Sequence, residues 1–207
     1  MKVAVVTDEL HKKEFLSKPI LADVILCFVN EPKNIPADAA VVFDLLFSNN
    51  KERVALLNRF LPRPVFINAV TDTLADIDQP FIRINAWPGF LKRKITEAAV
   101  LPQQEKIMKD IFEKLGWQYQ LVADVTGMVS ARIICMMINE AYFTLNEKVS
   151  TKEEMDIAMK LGTHYPYGPF EWGRIVGVKK IQELLCQLSN ENNLYEVSTL
   201  LTNDTIL

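Results

Sequence analysis

Three groups of side chains in this sequence are suited to chemistry. The first is the basic run Lys92-Arg93-Lys94, with Glu97 three residues further on. Clustered cations can meet the phosphates of a ligand and a nearby carboxylate can hold a proton. The same residues also read as a solvated turn and an ordinary helix-start or surface acid. The second group is the pair of histidines. His164 precedes a Pro-Tyr-Gly-Pro stretch and suits either a base or a packing or capping role, whereas the Lys-Lys-Glu surroundings of His11 predict a solvated face. The third is Cys27, Cys135 and Cys186, far apart in apolar contexts and without CxxC spacing, which predicts reduced core thiols rather than disulfides or a metal site.

These groups must be positioned by a fold whose first element is legible at once. In MKVAVVTDEL, Val3-Ala4-Val5-Val6 reads as the buried first strand of a nucleotide-binding sheet. A dinucleotide turn needs glycine directly after such a strand, because the backbone must turn tightly and approach a pyrophosphate at a helix N-terminus. Thr7-Asp8-Glu9 stands there instead, and the first glycine is Gly89. The two acids would repel a pyrophosphate. The interval to the next apolar run, Ala22 to Leu26, leaves too few residues for a full phosphate-binding turn and crossover helix.

The 207 residues are 49% apolar, ample for a core, and carry a net charge of −3 with acids and bases scattered. That balance predicts no nucleic-acid partner and no basic membrane-binding face. The apolar start is too short for a signal peptide and no run approaches a membrane span, which predicts a cytoplasmic protein. Strands are expected at Val3–Val6, Val24–Val29, Ala40–Phe43, Val65–Asn68, Phe81–Ile84 and Gln118–Val122, and helices at Lys51–Leu61 and Gln103–Leu115. After Gly127 the pattern turns helical: Met128–Glu147, then a segment opened by Ser150-Thr151 and ending near Gly162. A break follows at Pro166–Pro169, and a last helix runs over Ile175–Leu188. The expected fold class is α/β followed by all-α, with domains at 1–125 and 126–207.

Several stretches, in order, resemble the 3-hydroxyacyl-CoA dehydrogenase family. Asp124 to Gly177 is similar to the family's strand-to-helix junction, its long helix with an Asn-Glu-Ala step, its Asp-x-Ala-Met-x-x-Gly helix and its Pro-x-Gly-Pro-Phe-Glu loop. Upstream, LLFSNNKERVALLNRFLPRPVFINAVTDTLADI resembles the strand, helix and strand leading to the family's Asn-Thr-Ser-Ser turn. The resemblance implies a truncated Rossmann-like sheet domain, a helical 3-hydroxyacyl-CoA dehydrogenase C-terminal-type domain, an acyl-CoA ligand, NAD as hydride acceptor, and a homodimer formed through the C-terminal helices.

Position by position, the implied site is depleted. Asn85 stands where the family has its catalytic His, while Glu97 keeps the place of the partner acid. Asparagine accepts no proton usefully, so the general-base route is closed. Ala131 replaces the substrate-orienting Asn, and Thr73 stands at the Ser position with Asp72 beside it. Lys92, Arg93 and Lys94 are candidates for CoA phosphates. Trp87 and Trp172 suit an acyl pocket or plain core, and the apolar stripe after Val178 suits core or a dimer seam. The expectation is a non-catalytic homologue without a cofactor, binding an acyl-CoA-type ligand or a partner subunit. The alternative is an active oxidoreductase that binds NAD by an atypical loop.

Overall fold

A computed structural model describes residues 1–205. The chain forms two compact units, Met1–Met128 and the residues from Val129 onward. In the first, β1 (Lys2–Val6), α1 (Glu9–Leu16), β2 (Ile25–Val29), β3 (Val41–Asp44), α2 (Lys51–Asn58), β4 (Val65–Asn68), α3 (Leu74–Ile77), β5 (Ile82–Ile84), β6 (Ile95–Ala99), α4 (Glu105–Leu115) and β7 (Gln118–Leu121) follow one another. The strands make one sheet in the order β2-β1-β3-β4-β5-β6-β7. Every pair is parallel except β5 with β6.

The apolar runs of β1, β3 and β4 are buried throughout because the sheet is covered on both faces. Successive side chains alternate between two cores. Val3, Val5, Phe43 and Phe66 pack with Phe15, Phe112 and Trp117 on one face, while Ala4, Val6, Val42 and Ile67 pack with Leu57 and Phe81 on the other. The rings of Phe43 and Phe66 stack at 4.4 Å.

Two expectations about this unit are corrected. A helix does fit between β1 and β2: the turn shrinks to Thr7-Asp8, which frees residues for the eight of α1. Ile95–Ala99 is a strand that the sequence reading left out, and it carries Glu97. Its Glu97, Ala98 and Ala99 lack a strand preference, and pairing on both sides with β5 and β7 supplies what propensity does not.

The second unit is helical: α5 (Ser130–Asn146), α6 (Lys152–Thr163), α7 (Pro169–Val176), α8 (Val178–Glu191) and α9 (Thr199–Asp204). The expected helix over Ile175–Leu188 is two helices, divided at Gly177, whose φ of 97° no ordinary helix residue adopts. α5 lies against α7, α8 and α9. Its buried Asn139 accepts from Ser198 N at 2.9 Å and donates to Glu196 O at 2.7 Å, fixing the segment before α9. Asp156 of α6 caps α7, accepting from Phe170 N at 2.8 Å. Among the described residues no helix is long and apolar enough to cross a membrane.

Candidate functional site

The chain leaves β1 toward β2 on one side and returns to β3 on the other, so β1 and β3 flank a topological switch point. Ligands of doubly wound sheets settle beyond the carboxyl ends of such strands. The residues at that crest are Thr7-Asp8 after β1, Asp44 closing β3, Asn68 closing β4 and Asn85 after β5.

Asn85 and Glu97 are brought together because β6 runs antiparallel to β5. Asn85 N donates to Glu97 O at 3.1 Å and Asn85 Nδ2 donates to Glu97 Oε2 at 3.3 Å. Asn85 is buried, and its Oδ1 accepts from Trp87 N at 3.4 Å. A neutral amide in this place holds the carboxylate but removes no proton from a substrate.

The neighbouring crest residues are likewise engaged with the chain itself. Asn68 donates to Leu45 O and accepts from Ala86 N, each at 3.0 Å. Asp44 accepts from Arg53 at 2.6 and 2.7 Å and from Leu46 N at 3.1 Å. Burial pushes the Asp44 carboxyl up, and the Arg53 guanidinium only partly offsets this. Thr73 caps α3: its hydroxyl donates to Asp76 Oδ2 at 2.7 Å and accepts from Asp76 N at 3.2 Å. The Thr73 hydroxyl and amide hold the Asp76 carboxyl below the usual range. The single proton of this hydroxyl is committed to the cap.

Sequence reasoning missed two features. Arg83 is wholly buried in β5, where it ion-pairs with Asp124. It also donates to Ala69 O at 2.9 Å, Val70 O at 3.2 Å and Val125 O at 3.3 Å. Its signal was a lone cation at the centre of the apolar run Phe81-Ile82-Arg83-Ile84. The second feature is α1, whose inner face carries His11 and Glu14 at helical spacing, with Lys18 just beyond its end, all buried. The solvated reading of His11 is therefore wrong. Local composition suggested water, but Phe15 fixes which face of the helix turns inward.

Glu14 Oε1 accepts from Gly89 N at 2.6 Å, and Lys18 Nζ donates to Arg93 O at 2.8 Å while lying 4.7 Å from the centre of the Trp117 ring. The exposed turn Lys92-Arg93-Lys94 is thus moored from below by a fourth cation. Burial pushes the Lys18 ammonium down to about 8 from 10.5. Between those values the unfolded chain holds a proton that the folded chain has released, so stability rises as pH climbs through this interval. Lys18→Met abolishes that rise in urea unfolding at stepped pH; an equal rise in wild type and variant would refute the assignment.

In the second unit, Ala131 lies buried in the first turn of α5. His164 takes the left-handed position that ends α6, with φ of 56°, and is exposed, in keeping with a capping role. Trp87 and Trp172 are buried, the latter edge-on to Tyr167 at 5.0 Å. Among the described residues no group of three His, Cys, Asp or Glu side chains is placed to hold a metal ion.

The residues after β1 do not fit a dinucleotide. The pyrophosphate of such a cofactor takes the free amides at the start of the first helix. Here Asp8 Oδ1 accepts from His11 N and from His11 Nδ1, each at 2.8 Å, and Asp8 and Glu9 place two acids at that helix end.

Residues 127–203 match the family described as 3-hydroxyacyl-CoA dehydrogenase, C-terminal domain. The chain is 42% identical over 69 residues to 3-hydroxyadipyl-CoA dehydrogenase of Escherichia coli (strain K12), covering 33% of this chain and 14% of that protein. It is 43% identical over 70 residues to 3-hydroxybutyryl-CoA dehydrogenase of Bradyrhizobium diazoefficiens, covering 34% of this chain and 24% of that protein. The matched stretch is therefore a small part of either relative. Among solved structures, (S)-3-hydroxybutyryl-CoA dehydrogenase from Ralstonia eutropha superposes with a TM-score of 0.73 at 17% identity, covering 98% of this chain and 92% of that one. That likeness is one of fold. The Escherichia coli 3-hydroxybutyryl-CoA dehydrogenase structure gives a TM-score of 0.58 at 28% identity over 68% of this chain and 31% of that one.

Proposed function

From the match of residues 127–203 to the 3-hydroxyacyl-CoA dehydrogenase C-terminal domain family, we propose that this protein is a non-catalytic homologue that binds an acyl-CoA-type ligand or a partner subunit. One observation carries the reading. At the crest of the sheet, Asp8, Asp44, Asn68, Thr73 and Asn85 each bond to the chain's own groups, and a neutral amide faces Glu97. Hydride transfer with proton removal needs a base with a titratable lone pair and a cradle for the dinucleotide; neither Asn85 nor the Thr7-Asp8 turn supplies one.

The basic turn Lys92-Arg93-Lys94 is the proposed contact for CoA phosphates, with Lys18 holding its backbone. A homodimer through the C-terminal helices is part of the reading. Support comes from the apolar residues that α5 and α6 leave exposed, Ile133, Ile157 and Leu161, the last 76% exposed. We place the protein in the cytoplasm.

Titration of the purified protein separately with NADH and with acetoacetyl-CoA, then with both while NADH absorbance is followed, tests this. The expected result is saturable binding of acetoacetyl-CoA, no binding of NADH and no consumption. NADH consumption would overturn the non-catalytic reading, and silence with both ligands would remove the acyl-CoA arm and leave a partner subunit.

A further inference from the structure

Resting on the reading above, we propose that Asp8 is an internal anion. Its carboxylate stands where a strand-to-helix turn presents backbone amides to a nucleotide phosphate, and the chain excludes such phosphates by filling that site itself.

The argument starts from the turn. Only Thr7 and Asp8 separate β1 from the eight residues of α1, so the first amides of the helix open directly beside the switch point. In a helix start of this kind the unbonded amides attract an anion. Asp8 supplies one from the chain. Its Oδ1 accepts from His11 N and from the His11 ring Nδ1, each at 2.8 Å, so one contact is backbone and the other is a side chain. Burial opposes the charge, but the bonds from His11 outweigh it and leave the Asp8 carboxyl below its ordinary range, so it is an anion at neutral pH.

The carboxylate is also held in place. The His11 ring is only 5% exposed, and Glu14, one turn further along the same face, is bound to Gly89 N at 2.6 Å. On the other side Thr7 N donates to Val29 O at 2.9 Å and the Thr7 hydroxyl donates to Asp8 O at 2.9 Å, fixing the turn against β2. For a phosphate to reach the amides, Asp8 would have to leave two bonds and the two anions would have to share one helix end. The absence of glycine leaves side chains on the turn. The carboxylate explains why the His11 amide is closed.

The test uses the full chain with inorganic pyrophosphate and NADH as probes, following the amide resonances of Leu10 and His11 by NMR. Three proteins are compared: wild type, Asp8→Gly and Glu9→Gln. Glycine is tolerated at a helix N-cap, and unchanged amide resonances in β3, β4 and α4 establish that the first variant keeps its fold. Glu9→Gln removes an acid from the same helix end without touching the contact. The expected result is no saturable shift in wild type or Glu9→Gln, and in Asp8→Gly a saturable pyrophosphate shift at these two amides, at least tenfold tighter than any in the others. Wild-type pyrophosphate binding at these amides, an unresponsive Asp8→Gly variant, or an equal gain in Glu9→Gln would each overturn the proposal. NADH binding that leaves both amides unmoved would count against the function proposed above and not against this role for Asp8.

Discussion

Replacing Arg83 with methionine lowers the unfolding free energy of the first unit by about 2–3 kcal/mol, the usual loss when hydrogen bonds from a buried charged group are removed and the partner, Asp124, is partly exposed. The guanidinium is wholly buried and reaches four partners: Asp124, Ala69 O, Val70 O and Val125 O. Asp124 in turn accepts from Leu74 N at 2.9 Å, and Gly127 N donates to Val70 O at 2.8 Å. The turn after β4 and the segment after β7 are thus joined through one side chain. Methionine fills similar volume but leaves Ala69 O without its donor, takes one of two donors from Val70 O and Val125 O, and leaves Asp124 without its counter-charge. Arg83→Lys recovers little, because a single ammonium cannot span partners that a planar fork reaches in three directions. Urea unfolding followed by amide exchange at Val70, Leu74 and Gly127 checks this; a loss below about 1 kcal/mol would show that the pair contributes no more than a surface bridge.

Gly168→Ala is the second large effect, and it falls on the helical unit. A Cβ at position 168 would overlap the Cα and side chain of Asp156. Either the backbone between α6 and α7 moves apart or Asp156 withdraws. The first costs about 1–3 kcal/mol as overpacking. The second leaves the amides of Phe170 and Glu171 without the carboxylate that caps them, a loss of similar size, roughly 1–3 kcal/mol. Glu171 Oε2 accepts from Gly168 N at 3.0 Å, so the closing residue of the loop is disturbed as well. The expected signature is faster amide exchange in α7 with α4 and the sheet unchanged. Wild-type exchange at Phe170 and Glu171 would contradict it. This contact also gives a physical reason for two motifs that resemble the family: the Asp of Asp-x-Ala-Met-x-x-Gly and the Gly of Pro-x-Gly-Pro-Phe-Glu meet, here as Asp156 and Gly168.

The sequence by itself determined where the apolar strands lie, that glycine is missing after the first of them, and that the chain turns helical after Gly127. Each depends on residue type and local spacing, which a chain displays without being folded. It also determined that Asn85 carries no usable proton acceptor. Tertiary structure decided the rest. Asn85 and Glu97 are partners only because β6 folds back along β5, a pairing set by neighbours on both sides rather than by the weak strand preference of Glu97, Ala98 and Ala99. His11 is buried because Phe15 draws one face of α1 inward, although charged neighbours in sequence suggested water. Arg83 is tolerated in the middle of a sheet because carbonyls from two distant turns converge on it, and no window of sequence contains all of its partners. Thr73 keeps its hydroxyl but spends it on a helix cap, since Asp76 lies within the same turn. Composition and period are local properties and survive in the unfolded chain, whereas the partner of a polar side chain is chosen when distant segments pack and water is removed from between them.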